Sequence, residues 1–252
     1  MRRALFGMLA LVGLAVTPSV AERLASTVST PTVQITSSFD GAVLSFFGTI
    51  EQDSAGAPVP GPYNVIIIVT GPLQDRVARL KTNSFGIWTN TDQVVFRQFP
   101  SFYTVLSSGR LETVASPEVL STEQVLPTDQ ARAAAQTSGM KGEMFGAELI
   151  RLMTAEGHFG VNEDGVRFLS PTAYTAQITL PSDVANGPFL AHTLVLRDKQ
   201  LVAERSEGFS VVKTGFENFV FVASRQMPLV YGLICVVLAL GTGWLAGVVF
   251  RR

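Results

Sequence analysis

The chain has 252 residues, a formal net charge of −1 at pH 7 and a single cysteine, Cys235. Residues 22–224 hold 14 of the 19 basic residues and all 20 acidic residues, so this part carries a net charge of −6. That balance excludes the basic surface on which nucleic-acid binding depends. One cysteine also excludes an internal disulfide framework.

The first 21 residues have the pattern of an export signal. Arg2 and Arg3 precede an apolar stretch, 4–16, which as a helix would be only ~20 Å long and too short to cross a membrane. Thr17-Pro18 breaks that helix, and small residues follow at 19–21, where cleavage is expected. We predict a signal peptide over residues 1–21; an uncleaved signal anchor is the alternative.

Residues 22–126 read as a β-rich region. The Ser/Thr-rich segment 22–30 is expected to be a loose start, and Asp40-Gly41 predicts a hairpin turn between the first two strands. Five consecutive β-branched residues, 65–69, indicate a strand that is covered on both faces. The strands predicted in this region are 33–35, 43–50, 65–69, 77–81, 87–89, 94–97 and 102–106.

A helical insert, 127–157, is predicted to divide the β-rich sequence. Its helices are expected at 129–137 and 143–156, the second with an apolar face of Phe145, Leu149, Leu152 and Met153.

A second β-rich region, 158–215, is predicted after the insert. Tyr174, Ala176, Ile178 and Leu180 alternate with polar residues, as in a half-buried strand. The other predicted strands are 166–169, 191–196, 200–204 and 209–213. The pattern predicts a mainly β fold of the Ig-like β-sandwich type, and leaves open whether one or two sandwiches form.

A membrane-spanning helix is predicted over residues 228–250, after a juxtamembrane segment, 216–227. The span contains twelve Leu, Ile, Val or Phe residues and no charged residue, and as a helix it is ~34 Å long. Arg251 and Arg252 form the predicted cytoplasmic end, which places the preceding domain in the periplasm by the positive-inside rule. The protein is expected to be a single-pass protein of a bacterial inner membrane.

Small residues recur at every fourth position of the predicted span. Ala239, Gly243 and Gly247 would lie on one face of the helix, where small residues allow a second helix to approach closely. We predict that this face contacts another membrane helix.

The sequence offers no catalytic constellation and no metal motif. His158 and His192 are the only histidines and lie 34 residues apart, without a second ligand at a metal-binding spacing. A copper site of His158 with Met140, Met144 and Met153 is weaker than the alternative, in which these methionines fill gaps in the core. We therefore expect a protein that is not an enzyme and has no cofactor or metal.

Several short motifs, in their order along the chain, resemble the alphaproteobacterial putative transmembrane protein family (Alph_Pro_TM). The resemblance implies an inner-membrane protein with a periplasmic domain and no established activity, and it suggests a sulfite-exporter-type permease as a neighbour. The motifs are Phe39-Asp40-Gly41-Ala42, Gly71-Pro72, Gly86-Ile87-Trp88-Thr89-Asn90, Pro100-Ser101-Phe102-Tyr103, Lys213-Thr214-Gly215-Phe216-Glu217, Tyr231-Gly232 and Phe250-Arg251-Arg252.

Two of these motifs suggest an aromatic contact patch of Trp88, Phe102 and Tyr103. The alternative, which we favour, is that the three are core residues of the β-rich domain. The leading functional hypothesis is a non-enzymatic accessory protein of an inner-membrane assembly. A periplasmic solute- or metal-binding module is the competing hypothesis.

Overall fold

The computed structural model describes residues 23–36, 39–51, 62–137, 139–214, 220 and 223–249. The predicted signal peptide, half of the juxtamembrane segment and the predicted cytoplasmic end therefore lie outside the described residues. The strands are β1 (Arg23–Val28), β2 (Thr32–Ile35), β3 (Ala42–Glu51), β4 (Asn64–Thr70), β5 (Leu73–Ser84), β6 (Ile87–Pro100), β7 (Tyr103–Ser107), β8 (Phe159–Asn162), β9 (Val166–Phe168), β10 (Ala173–Leu180), β11 (Gly187–Arg197) and β12 (Gln200–Lys213). The helices are α1 (Leu111–Val114), α2 (Pro117–Thr122), α3 (Pro127–Ala134), α4 (Met140–Ala155) and α5 (Pro228–Val249).

The strands form two main sheets and one long hairpin. The smaller sheet has the order β1-β3-β10-β9, the larger has the order β2-β12-β11-β4-β7-β8, and β5 pairs only with β6. Neighbours are antiparallel except β2 with β12 and β7 with β8. Both sheets combine strands from before and after the helices, so the two β-rich stretches of sequence form one structural unit.

One buried core lies between the two sheets. The alternating residues of β10 are among its members, and they face the side chains of every second residue of β4. Among the described residues, the side chains from the two strands are Tyr174, Ala176, Ile178, Leu180, Val65, Ile67 and Val69.

A second core lies on the opposite face of the larger sheet. Ile66 and Ile68 of β4, with Leu194 and Leu196 of β11, pack there against α1, α3, α4 and the base of β6. The domain therefore has three layers: the smaller sheet, the larger sheet, and a helical layer. The prediction that β4 is covered on both faces is confirmed, because 65–69 are all at most 5% exposed.

Two predictions near the start of the domain are wrong. Residues 23–28 form strand β1 on the edge of the smaller sheet, since Leu24 is buried and the segment pairs along its whole length with β3. Asp40-Gly41 does not close a hairpin: β2 pairs with β12 in the larger sheet, whereas β3 belongs to the smaller one. Alternation identifies a strand but not the strand beside it, so the sequence could not separate a hairpin from a crossover.

The helical layer is larger than predicted. Helices α3 and α4 lie within three residues of the predicted bounds, and the short helices α1 and α2 precede them. Ser116 caps α2, its Oγ accepting a hydrogen bond from the backbone N–H of Val119. On α4, Phe145 and Met153 are buried as predicted, but Leu152 is 45% exposed because it lies at the margin of the apolar face.

Helix α5 has the length and composition to cross a membrane. Its 22 residues extend for ~33 Å, and none of their side chains is buried. A helix with apolar residues all round and no protein cover fits a lipid environment. In the described part of the chain it is the one candidate span.

Candidate functional site

The outer part of the β5–β6 hairpin projects from the domain as an arm, which we define as residues 79–93. Every residue of the arm is exposed except Thr82, which is half-buried. The register pairs Arg79 with Gln93 and Ser84 with Ile87, so the arm extends for ~20 Å. Asp92, at the base of the arm, forms an ion pair with Lys141 of α4. Beyond that pair neither face of the arm is covered, and a two-stranded ribbon of this kind is marginally stable in water, so its length needs an explanation outside the domain's own packing.

Three large apolar side chains stand at the tip of the arm. Phe85 is fully exposed, and Ile87 and Trp88 are each 67% exposed. Apolar side chains that cluster on a projection, away from any core, typically mark a contact site.

The tip turn holds Phe85 in an unfavourable conformation. Phe85 and Gly86 have φ values of 55° and 82°, which is the type I′ geometry of two-residue hairpins. Such turns strongly prefer Asn or Gly at the first position, whereas a bulky residue at positive φ is rare. Asn83 Oδ1 supports the turn by accepting a hydrogen bond from the Gly86 N–H at 2.9 Å.

The structure does not bring Trp88, Phe102 and Tyr103 together. Trp88 lies on the arm, while Phe102 and Tyr103 are each 1% exposed and belong to different cores. Phe102 lies between the sheets, where it contacts Phe189, with ring centroids 6.0 Å apart. Tyr103 lies beneath the helices, and its hydroxyl donates to the carbonyl oxygens of Gln124 and Val125.

The small-residue face of α5 is open. Ala239, Gly243 and Gly247 are exposed, and a Cβ built at either glycine would have no heavy atom within 4 Å. Thr242, the neighbour of Gly243, satisfies its hydroxyl by donating to the carbonyl oxygens of Leu238 and Ala239. This face is therefore free to receive a second helix, while the polar group beside it is already satisfied.

His192 lies between two glutamates on the helical side of the larger sheet. Its Nε2 is 3.7 Å from a carboxylate oxygen of Glu123, at the end of α2, and 3.5 Å from one of Glu204, on β12. The other ring nitrogen, Nδ1, is hydrogen-bonded to Ser206 Oγ at 2.7 Å. Within the described residues this is the one group of His, Cys, Asp or Glu side chains close enough to hold a metal ion.

Sequence reasoning missed this cluster, although part of it could have been found. His192 and Glu204 lie in the predicted strands 191–196 and 200–204, which follow each other closely in sequence. In the structure His192 pairs with Ser206, so Glu204 is its diagonal neighbour. Glu123 follows the unpredicted helix α2, and no sequence pattern links it to the hairpin.

His158 occupies a different environment. It is 7% exposed, its Nε2 lies 3.2 Å from Asp183 Oδ2, and its Nδ1 has no hydrogen-bond partner among the described residues. Met153 is buried beside it, and the backbone N–H of His158 donates a hydrogen bond to the Met153 carbonyl oxygen. Met140 and Met144, by contrast, are exposed at the other end of α4. The structure therefore does not gather the ligands considered for copper.

The cavities formed by the described residues are shallow. A cleft between α3 and α4 has a volume of about 220 Å³ and is lined by residues such as Ala131, Gly146 and Ile150. A second cleft, along β9 and β10, has a volume of about 420 Å³ but is wide open and lined by mostly polar residues such as Arg167 and Gln177. Pockets for small molecules usually have a volume of about 300–1,000 Å³ and are mostly enclosed. The arm is thus the feature of the domain with the clearest character of a contact site.

Comparison with known proteins identifies a family of transmembrane proteins. No curated protein matched the sequence. The family described as "Putative transmembrane protein (Alph_Pro_TM)" matches over residues 23–252, which cover both the β-rich domain and α5. The resemblance noted in the sequence is therefore confirmed, and the chain belongs to the Alph_Pro_TM family of transmembrane proteins.

Proposed function

We propose that the protein is a non-enzymatic accessory subunit of an inner-membrane assembly, and that its arm docks on a membrane protein partner. The observation that carries this proposal is the exposed tip of Phe85, Ile87 and Trp88. Burial of apolar surface contributes roughly 25 cal/mol per Å², so three large side chains that remain in water forgo several kcal/mol. A partner that covers the tip recovers that energy.

The backbone at the tip supports the same conclusion. Phe85 occupies a position where Asn or Gly would make a more stable turn. Strain of this kind persists where the side chain has a use that outweighs its local cost. Aromatic anchors held on a rigid turn are also the side chains that most often carry binding energy at protein interfaces.

The proposed location is the inner membrane of a bacterium, with the β-rich domain in the periplasm and the end of the chain in the cytoplasm. Arg251 and Arg252 favour this orientation through the positive-inside rule. The bilayer is one partner of α5. A sulfite-exporter-type permease is the candidate protein partner that the family resemblance suggests, and nucleic acid is not a proposed partner.

Photo-crosslinking from the arm tests the proposal. A photoreactive aromatic amino acid replaces Trp88 in the full chain, and a matched variant carries it at Val43, which is 63% exposed on the smaller sheet. We expect position 88 to crosslink a multi-span membrane protein and position 43 to give no such product. The proposal that the arm docks on a protein partner would be overturned if both positions crosslinked alike, or if position 88 crosslinked only to lipid.

The open face of α5 provides a second, independent contact. We expect Gly243→Leu to weaken association in a membrane two-hybrid assay, since a bulky side chain prevents the close approach of helices. Gly241→Leu is the matched control, because Gly241 is exposed on the same helix but outside the Ala239, Gly243 and Gly247 face. Equal signals from both variants would exclude this face as a contact.

We also infer that the two sheets form an Ig-like sandwich. The order β1-β3-β10-β9 corresponds to the A-B-E-D sheet of that fold, and β12-β11-β4-β7 corresponds to G-F-C-C′. The arm would then be an insertion between strands C and C′, and the helices an insertion between C′ and D. An experimental structure in which β4 did not lie between β11 and β7 would overturn this assignment.

A further inference from the structure

We propose that Glu123, His192 and Glu204 form a binding site for a divalent transition-metal ion, with Zn²⁺ as the representative ion. The site is independent of the arm and of the proposed docking function. It would join the end of α2 to strands β11 and β12, and so fasten the helical layer to the larger sheet.

The charges of the cluster favour a cation at its centre. Two carboxylates approach one imidazole from two different elements of the fold, and like charges this close repel each other unless a positive charge lies between them. Either an imidazolium ring or a bound metal ion can supply that charge. A neutral ring supplies no positive charge, and its one N–H cannot donate to both glutamates.

The distances favour a metal ion over an imidazolium. At 3.5 and 3.7 Å, both Nε2–oxygen separations exceed the 2.7–3.2 Å of a good N–H···O hydrogen bond. Nitrogen and oxygen ligands that lie ~2.1 Å from a tetrahedral Zn²⁺ ion are themselves separated by about 3.4 Å. One nitrogen and two carboxylate oxygens within 4.8 Å of one another therefore need only small side-chain rotations to coordinate one ion.

The surroundings of the ring are those of a metal ligand. When Nδ1–H donates to Ser206 Oγ, the lone pair of Nε2 points towards the two carboxylates. His192 and Glu123 are about three-quarters buried, whereas Glu204 is 57% exposed, so the site is held by the fold yet open to ions from solution. An imidazole nitrogen in the ligand set selects transition metals over Ca²⁺ and Mg²⁺, which prefer oxygen ligands alone.

Equilibrium dialysis of the chelator-treated, detergent-solubilised full chain against Zn²⁺ tests the site. We expect one Zn²⁺ ion per chain, a higher Tm with Zn²⁺ than without, and no comparable effect of Mg²⁺. Loss of a residue that hydrogen-bonds to a metal ligand typically weakens metal binding by roughly 10–100-fold. Ser206→Ala should fall within that range, and His192→Gln, which removes a ligand itself, should weaken binding by more. Glu118 is an exposed glutamate of α2, the helix that Glu123 follows. Glu118→Gln is therefore the control, and it should leave Zn²⁺ binding unchanged.

Two outcomes would overturn the site. The first is the absence of stoichiometric Zn²⁺ binding by the wild-type chain, which would leave the cluster as an ion pair of the fold. The second is binding that survives both His192→Gln and Glu204→Gln, which would place the ion elsewhere. Circular dichroism of each variant without metal distinguishes a lost ligand from a lost fold.

Discussion

Strand β4 and the arm are both β-structure with large apolar side chains, but their environments are opposite. In β4, Val65, Ile67 and Val69 enter the core between the sheets, and Ile66 and Ile68 enter the core beneath the helices. In the arm, 79–93, almost every side chain is in water on both faces. The domain thus contains the most and the least covered positions that a strand can have.

The contrast separates apolar residues that form the core of the domain from apolar residues that have no role in its core. Side chains of β4 hold two cores on one sheet, so their burial is explained by the domain itself. The side chains of Phe85, Ile87 and Trp88 contribute nothing to either core, and the turn beneath them would be more stable with Asn in place of Phe85. Their explanation therefore lies outside the chain.

The same substitution in the two regions should give the largest difference. Ile67→Ala removes a fully buried side chain and should destabilise the domain by about 2–5 kcal/mol. Ile87→Ala, at a residue 67% exposed, should change stability by less than about 0.5 kcal/mol. Chemical denaturation of the full chain in detergent, followed by far-UV circular dichroism, measures both; equal losses would show that the arm is part of the core.

Alkaline pH should weaken the cores and leave the arm unaffected. Burial raises the pKa of Tyr174, between the sheets, to about 12 and also raises that of Tyr103, beneath the helices. Because the folded-state pKa exceeds the unfolded value near 10, the stabilisation is complete below pH 10 and is lost as the pH rises towards 12. For Tyr174 the loss in the free energy of unfolding is about 3 kcal/mol, at roughly 1.4 kcal/mol per pKa unit.

Denaturation midpoints measured between pH 8 and pH 12 test this expectation. Tyr174→Phe should show a smaller decline over that window than the wild type, because one of the buried phenols no longer ionises. It should not remove the decline, since Tyr103 remains. If the variant declined as steeply as the wild type, folding would not raise the pKa of Tyr174.

The sequence predicted those parts of the fold that depend on local patterning. Alternation in β10 and the unbroken β-branched run of β4 correctly identified one strand with a single buried face and one covered on both faces. Which strands pair with each other was harder to predict, because β2 and β3 are neighbours in sequence but lie in different sheets. Partner choice depends on the whole core, which no window of the sequence contains.

The candidate sites were harder still to predict. The sequence drew attention to Trp88, but it grouped that residue with Phe102 and Tyr103, whose burial depends on distant strands and helices. Predicting two short strands, 77–81 and 87–89, also concealed the long arm that they share. The His192 cluster combines a hairpin register with a helix end about seventy residues away, so only the fold brings it together.

The substitution with the smallest expected effect on stability gives the most direct test of the contrast between β4 and the arm. Phe85→Asn introduces the residue that a type I′ turn prefers, so the domain should keep its stability or gain up to about 1 kcal/mol. The same change removes the most exposed apolar side chain at the tip, so crosslinking from position 88 to a membrane partner should decline. A variant that is at least as stable as the wild type but binds less can be explained only by a lost contact.

Phe85→Tyr is the matched control for that experiment. It keeps an aromatic ring at a positive φ, so both the strain of the turn and the apolar surface of the tip remain nearly as they are. Crosslinking should then match that of the wild type, and stability should not rise. If Phe85→Asn crosslinked as well as Phe85→Tyr, the ring would have no part in docking, and the strain at the tip would need another cause.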